Sequence, residues 1–112
     1  MSSPADLREI ALSLPDTSEK AAWGMPTFRV RGKIFASLSD PHGPGVKISP
    51  EERAELVAAE PEKFTWTTHD EKFGFMRLRL DALDREELAE ILTDAWRRAA
   101  PKTLVRGFDA ED

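Results

Sequence analysis

The sequence contains no cysteine. That absence excludes structural disulfides, thiolate zinc sites and a cysteine nucleophile, and it fits a reducing compartment. No apolar run approaches the roughly 20 residues that span a bilayer. The first fifteen residues, MSSPADLREIALSLP, carry acids and no long apolar core, so no signal peptide is expected and the expected location is the cytoplasm. There is no Gly-x-Ser-x-Gly elbow, no phosphate-binding loop and no dinucleotide-binding glycine turn. Histidine is scarce: His42 and His69 stand far apart, with no helical ligand set around either. The one weak metal clip, His69 with Asp70 and Glu71, reads more simply as a polar loop. Glu51–Glu52 and Glu86–Glu87 are accounted for as acids at helix starts rather than as a general acid and base. The expectation is a protein without metal, cofactor or catalytic residues. Positive charge is also short. Sixteen Lys and Arg face 21 Asp and Glu, a formal net charge of -5, so any pull on nucleic acid must come from a local patch.

What is present is an ordinary globular composition over 112 residues, which suits a single domain, 1–112. No repeat or low-complexity linker divides it. Ser3 as N-cap and Pro4 at the first helical position open a helix whose stripe is Leu7, Ile10, Ala11 and Leu14. After a polar connection, TFRVRGKIFASL alternates as a hairpin about Gly32, with Phe28, Val30 and Ile34 as core anchors. SDPHGPG is a second reversal and VKIS a third strand. Ser49, Pro50 and Glu52 start a second helix with a capping box, closed by Pro61. FTWTTH and FGFMRLRL form a second hairpin around a longer loop, 70–73; Met76, Leu78 and Leu80 face one way, Phe75, Arg77 and Arg79 the other. Asp84 and Glu87 cap the last helix, whose stripe runs Leu88, Ile91, Leu92, Ala95, Trp96 and Ala99. Residues 105–112 are expected to fray.

This order, helix–three strands–helix–two strands–helix, predicts an α+β fold in two layers: a five-stranded, mainly antiparallel sheet with the helices on one face. The other face then carries Thr27, Arg29, Arg31, Arg77 and Arg79, in a register that a one-residue slip would reverse.

Four stretches carry a family resemblance: Leu14–Pro15; WGMPTFRVRGKIFA from Trp23 to Ala36; VKISPEERAELVAAEPEKF from Val46 to Phe64; and RLDALDREELAEILTDAWRRAAPKTL from Arg79 to Leu104. Together they span nearly the whole chain, and it resembles the MmcQ/YjbR-like family of small bacterial proteins. The resemblance implies a secretion-chaperone-like domain. It also implies a DNA-binding label resting on two hairpins that form a "double wing", within a family largely of unknown function.

Two sets of candidate residues follow. Arg29, Arg31 and Lys33 on one hairpin, with Arg77 and Arg79 on the last strand, could line one surface for DNA, since guanidinium forks match phosphates and guanine edges. The plainer reading is a solvated face whose arginines pair with acids. Trp23, Lys33 and Lys102 could instead converge on a pocket for a small anionic ligand. A protein partner is the other alternative, marked by an apolar patch around Trp23, Phe73 and Phe75. Trp96 is read as core. No membrane partner is expected, and a monomer is favoured.

Overall fold

A computed structural model describes residues 1–39 and 43–110, with no description of the side chain of Ser39. His42 and part of the expected second reversal lie outside the described residues.

The helices begin where their caps dictate. Helix α1 (Pro4–Ser13) starts from a reciprocal box: the Asp6 N–H donates to Ser3 Oγ and the Ser3 N–H to the Asp6 carboxylate. It buries Leu7, Ile10 and Ala11, with Leu14 just beyond. Helix α2 (Pro50–Ala59) is capped by Ser49, which accepts from the Glu52 N–H. The box expected there is completed differently, because the Glu52 carboxylate takes the Ser49 hydroxyl and Arg98. The longest helix, Arg85–Ala99, has the Asp84–Glu87 box and ends on Arg97 and Arg98, each charge suiting its end of the dipole. It is α4 in chain order, and its buried stripe is Leu88, Leu92, Ala95, Trp96 and Ala99. The Trp96 indole N–H donates to the Pro15 carbonyl at 3.0 Å, so burying the ring leaves no orphan donor.

Among the described residues the sheet has six strands, all antiparallel, in the order β1-β2-β3-β4-β6-β5. Five were expected. The additional strand is β1 (Thr17–Ala22), in the segment read as a polar connection. Its residues from Ser18 to Ala21 are exposed, so no apolar alternation marks it. It is held instead by its ladder to β2 (Met25–Val30). Two-residue turns join β1 to β2 and β2 to β3 (Lys33–Ser39). Both have left-handed backbone at each turn residue: Trp23 at φ 51 and Gly24 at 76, then Arg31 at 49 and Gly32 at 86. That is the twist-matched hairpin geometry usually supplied by Asn-Gly. A bulge opposite Phe28 and Arg29 skips Phe35 in the pairing. Phe35 and Ala36 are therefore both buried while Ile34 is half-buried, which breaks the expected Ile34–Ala36–Leu38 alternation.

Strand β4 (Gly43–Lys47) begins and ends before the expected 46–49. Strand β5 (Phe64–Thr65) is short, and β6 (Phe75–Leu78) gives way to a 3-10 turn at Leu80–Ala82. Where a loop was expected, Thr67 and Asp70 form a capping box and start α3 (Thr68–Phe73), which Gly74 closes at φ 75. Helix α5 (Lys102–Ala110) takes in residues 105–110 of the end expected to fray. Its Phe108 ring lies 4.9 Å from that of Trp96, and Arg97 pairs with Asp109.

The main core lies between the sheet and α1 and α4. Phe28, Val30, Val46, Met76 and Leu78 meet the helix stripes there. Not all helices are on that face. Arg77 alternates with Met76 and Leu78 and so points to the other side, where Asp70 of α3 meets it. No helix among the described residues is long and apolar enough to cross a membrane.

Candidate functional site

The register decides the fate of the five expected cations. One row crosses all six strands: Lys20, Thr27, Ser37, Gly45, Arg77 and Thr65. Arg29 lies two residues beyond Thr27 toward one end of the sheet. Arg79 lies two residues beyond Arg77 toward the opposite end, because β2 and β6 run in opposite directions. With three strand spacings between them, they stand about 14 Å apart across the sheet and about 13 Å along it. The two arginine pairs do not make one continuous surface.

Arg77 is not a surface residue. Its Nε donates to both Asp70 oxygens at 3.0 and 2.9 Å, its Nη2 to Oδ1 at 2.6 Å, and its Nη1 to the Gly43 carbonyl at 2.9 Å. Asp70 is fully buried, and its second task is to accept the Thr67 N–H at the helix start. Burial pushes the carboxyl pKa up, but the hydrogen bonds from Arg77 and the Thr67 N–H outweigh it and hold Asp70 below the ordinary carboxylate value. Gly45 makes room for this arrangement: a Cβ there would sit 3.3 Å from Arg77 Nη1 and from Ser37 Oγ. Arg53 of α2 adds to the same knot, donating to the Asp70 and Phe75 carbonyls at 3.3 Å and stacking on Trp66. Asp70 therefore cannot serve the His69–Asp70–Glu71 clip, and His69 lies against Phe73 instead. Among the described residues, no three His, Asp or Glu converge as a metal ion would require. The Thr67-x-x-Asp70 capping pattern was the signal, present in the sequence, that Asp70 starts a helix.

Three of the remaining four, Arg29, Arg31 and Lys33, lie at or beside the β2–β3 turn. Arg31 pairs with Asp16 at 2.8 Å. Arg29 is half-buried and donates to Thr27 Oγ1 at 3.3 Å. Arg29, Lys33 and Arg79 have no acid within ion-pair distance among the described residues.

The Trp23–Lys33–Lys102 pocket does not assemble around Trp23. Trp23 and Lys33 flank opposite ends of β2, about 20 Å apart by strand rise. Lys102 is exposed at the start of α5. Nor do Trp23, Phe73 and Phe75 share a patch, because Phe73 and Phe75 lie at the end of the sheet away from Trp23. Lys47 lies over the Phe75 ring and Lys72 over the exposed Phe73 ring.

What the structure does present is the edge strand β1 with Trp23 at its tip. Trp23 is 86% exposed. The two-residue turn makes Ala22–Met25 a hydrogen-bonded pair, so the main-chain groups of Thr17, Glu19 and Ala21 face the open side. The Arg31 N–H to Asp16 carbonyl bond at 3.4 Å follows the same alternation. Sequence reading missed this edge because an exposed strand held only by its ladder has no apolar period.

Comparison with known proteins agrees with this architecture. The family model described as YjbR matches residues 12–98. The uncharacterised proteins Rv2570 of Mycobacterium tuberculosis and Mb2600 of Mycobacterium bovis are each 30% identical over 119 residues, spanning 92% of this chain and 92% of their own. The crystal structure of Deinococcus radiodurans protein DR2400, a DUF419 domain, superposes with a TM-score of 0.71 at 25% identity, over 86% of this chain and 77% of that one. With the family model covering most of its length, the chain belongs to the YjbR family.

Proposed function

We propose that this chain is a non-catalytic binding domain that receives a protein segment along the open edge of β1, with Trp23 as the anchor. One observation carries the reading: a tryptophan 86% exposed on a left-handed turn where Asn would be the better fit. Left-handed backbone at a bulky residue costs on the order of 1 kcal/mol, and the exposed ring recovers none of it by burial. A strand added to β1 recovers it by covering the indole and satisfying the outward groups of Thr17, Glu19 and Ala21. The partner is a different chain. Two copies of β1 paired about a twofold axis at the middle of the strand set Glu19 against Glu19 or Lys20 against Lys20, which disfavours the longest self-pairings.

The test uses the whole chain as bait in its native cell extract, beside Trp23→Asn, which keeps the turn. The expected result is a protein retained by the wild type and lost by the variant, with slowed amide exchange at 17–22 in the purified complex. Equal retention by both, or protection confined to other residues, overturns the reading.

A nucleic-acid reading keeps one supporting observation, Arg29 and Lys33 beside the β2–β3 turn with no acid partner among the described residues. It predicts duplex retardation that weakens steeply with salt and disappears in Arg29→Glu/Arg31→Glu. Folded protein that retards no duplex at low salt removes it.

A further inference from the structure

A second surface lies on the other side of the molecule from Arg77. Between helices α2 and α4 lies a cleft of about 300 Å³ above residues of β4, β5 and β6. Its floor is apolar: Val46, Ile48, Phe64 and Met76, with Leu56 and Ile91 as the lower walls. Its rim is acidic. Glu52, Glu55 and Glu60 come from α2 and its end, and Glu87, Glu90 and Asp94 from α4. Helical spacing places them: 52, 55, 56 and 60 share one face of α2, and 87, 90, 91, 94 and 98 one face of α4.

The rim charges are not all balanced. At one end Arg98 of α4 reaches Glu52 and the Lys47 carbonyl. At the other end Lys63 bridges Glu60 at 2.8 Å and Glu87 at 2.6 Å, and those two hydrogen bonds raise its pKa well above the ordinary lysine value. These two ion-pair groups close the ends of the trough. Between them Glu55, Glu90 and Asp94 have no cationic partner among the described residues. Glu87 and Arg98 are separated along α4 by about 16 Å, which sets the length of the trough.

This geometry selects the chemistry of an occupant. A divalent metal needs oxygens gathered around one point, and among the described residues no such group exists. The carboxylates are instead spread along a line: Glu90 and Asp94 are one helical turn apart, about 6 Å in rise. A hydrated metal would also leave the half-buried Leu56 and Ile91 uncovered. A ligand that alternates methylene runs with ammonium groups satisfies both parts. Its nitrogens meet successive carboxylates and its carbons lie on the half-buried Leu56 and Ile91. The volume is at the small end of ligand sites, too small for a folded partner element.

We propose that the α2–α4 cleft binds a linear aliphatic polyamine. The claim is independent of the β1 reading, since it uses the other face of the sheet and none of the hairpin residues.

Spermine is the probe, titrated into the full-length chain by calorimetry and followed by thermal unfolding and by the methyl resonances of Leu56 and Ile91. The expected result is saturable binding that shifts both methyls and raises the unfolding temperature. The triple variant Glu55→Gln/Glu90→Gln/Asp94→Asn alters only rim positions and should bind at least about tenfold more weakly. Ile91→Ala should weaken binding while leaving the rim charges intact, and Trp23→Asn should bind like the wild type. Three results overturn the proposal. One is equal stabilisation by magnesium chloride at matched ionic strength, which would show only general charge screening. Another is a triple variant that binds spermine as well as the wild type. The third is tighter binding of tetralysine than of spermine, which would make the occupant a basic peptide.

Discussion

Arg29 in β2 with Arg31 in the turn after it, and Arg77 in β6 with Arg79 just past it, share one sequence pattern: two arginines, two residues apart, in or beside a strand. Their fates differ. On the β1–β2–β3 side Arg31 makes an exposed ion pair at the turn, and the half-buried Arg29 lies along the buried Thr27. At β6, helix α3 crosses the outer sheet face and brings Asp70 down onto Arg77, which becomes a buried structural residue. Arg79, one step past the end of the strand, is exposed again. Arginine spacing alone therefore does not mark a binding surface. What covers the face decides the role.

The sharpest way to break this contrast is to remove each member of the second pair. Arg77→Ala should cost about 3–5 kcal/mol in urea unfolding, because it leaves the buried Asp70 charge without its partner. If Arg77→Ala costs no more than an ordinary surface change, the buried role is wrong.

A pH series sharpens the same point. The folded-state pKa of Asp70 is depressed, so its pairing contributes stability above the ordinary carboxylate value, near 3.9, and that contribution is lost as pH falls through the lower folded value. The stability gap between wild type and Arg77→Met should therefore be full at neutral pH and shrink at strongly acidic pH. A constant gap would show that the charge on Asp70 is not involved.

On the open side, Trp23→Asn should raise stability by about 0.4–1 kcal/mol, since Asn-Gly suits the turn better than Trp-Gly. A loss of stability on thermal or urea unfolding would mean that the indole is supported by contacts in the free protein. The smallest effect belongs to Arg79→Ala, which should stay within about 0.5 kcal/mol on the same unfolding curves. A larger loss would put Arg79 in the folded framework rather than on its surface.

The elements legible in the sequence were those with an apolar stripe or a cap. Ser3–Pro4, Ser49–Pro50 and Asp84–Glu87 mark helix starts that the structure places at Pro4, Pro50 and Arg85. The Leu88-to-Ala99 stripe is core except at half-buried Ile91, which lines the cleft. β1 escaped because its ladder leaves four consecutive residues exposed. The bulge at Phe35 escaped because a skipped residue leaves no trace in a pattern of alternation. Of the candidate site, the chemistry of Arg29, Arg31 and Lys33 could be read from their types. Their separation from Arg79 could not, because it depends on strand order and direction. The acidic cleft needs α2 and α4 side by side, a long-range pairing that no local spacing encodes.

The strand order also bears on how the chain assembles. From β1 to β4 each strand pairs with its sequence neighbour, so this half can zip up through short loop closures. The β4–β6 ladder, three residue pairs from Gly45–Arg77 to Lys47–Phe75, must wait until α2, β5 and α3 have been threaded between its partners. It is the seam expected to close late in folding and open early in unfolding. Weakening it with Val46→Ala should speed unfolding more than it slows folding, measurable as an asymmetric change in the two arms of a stopped-flow chevron.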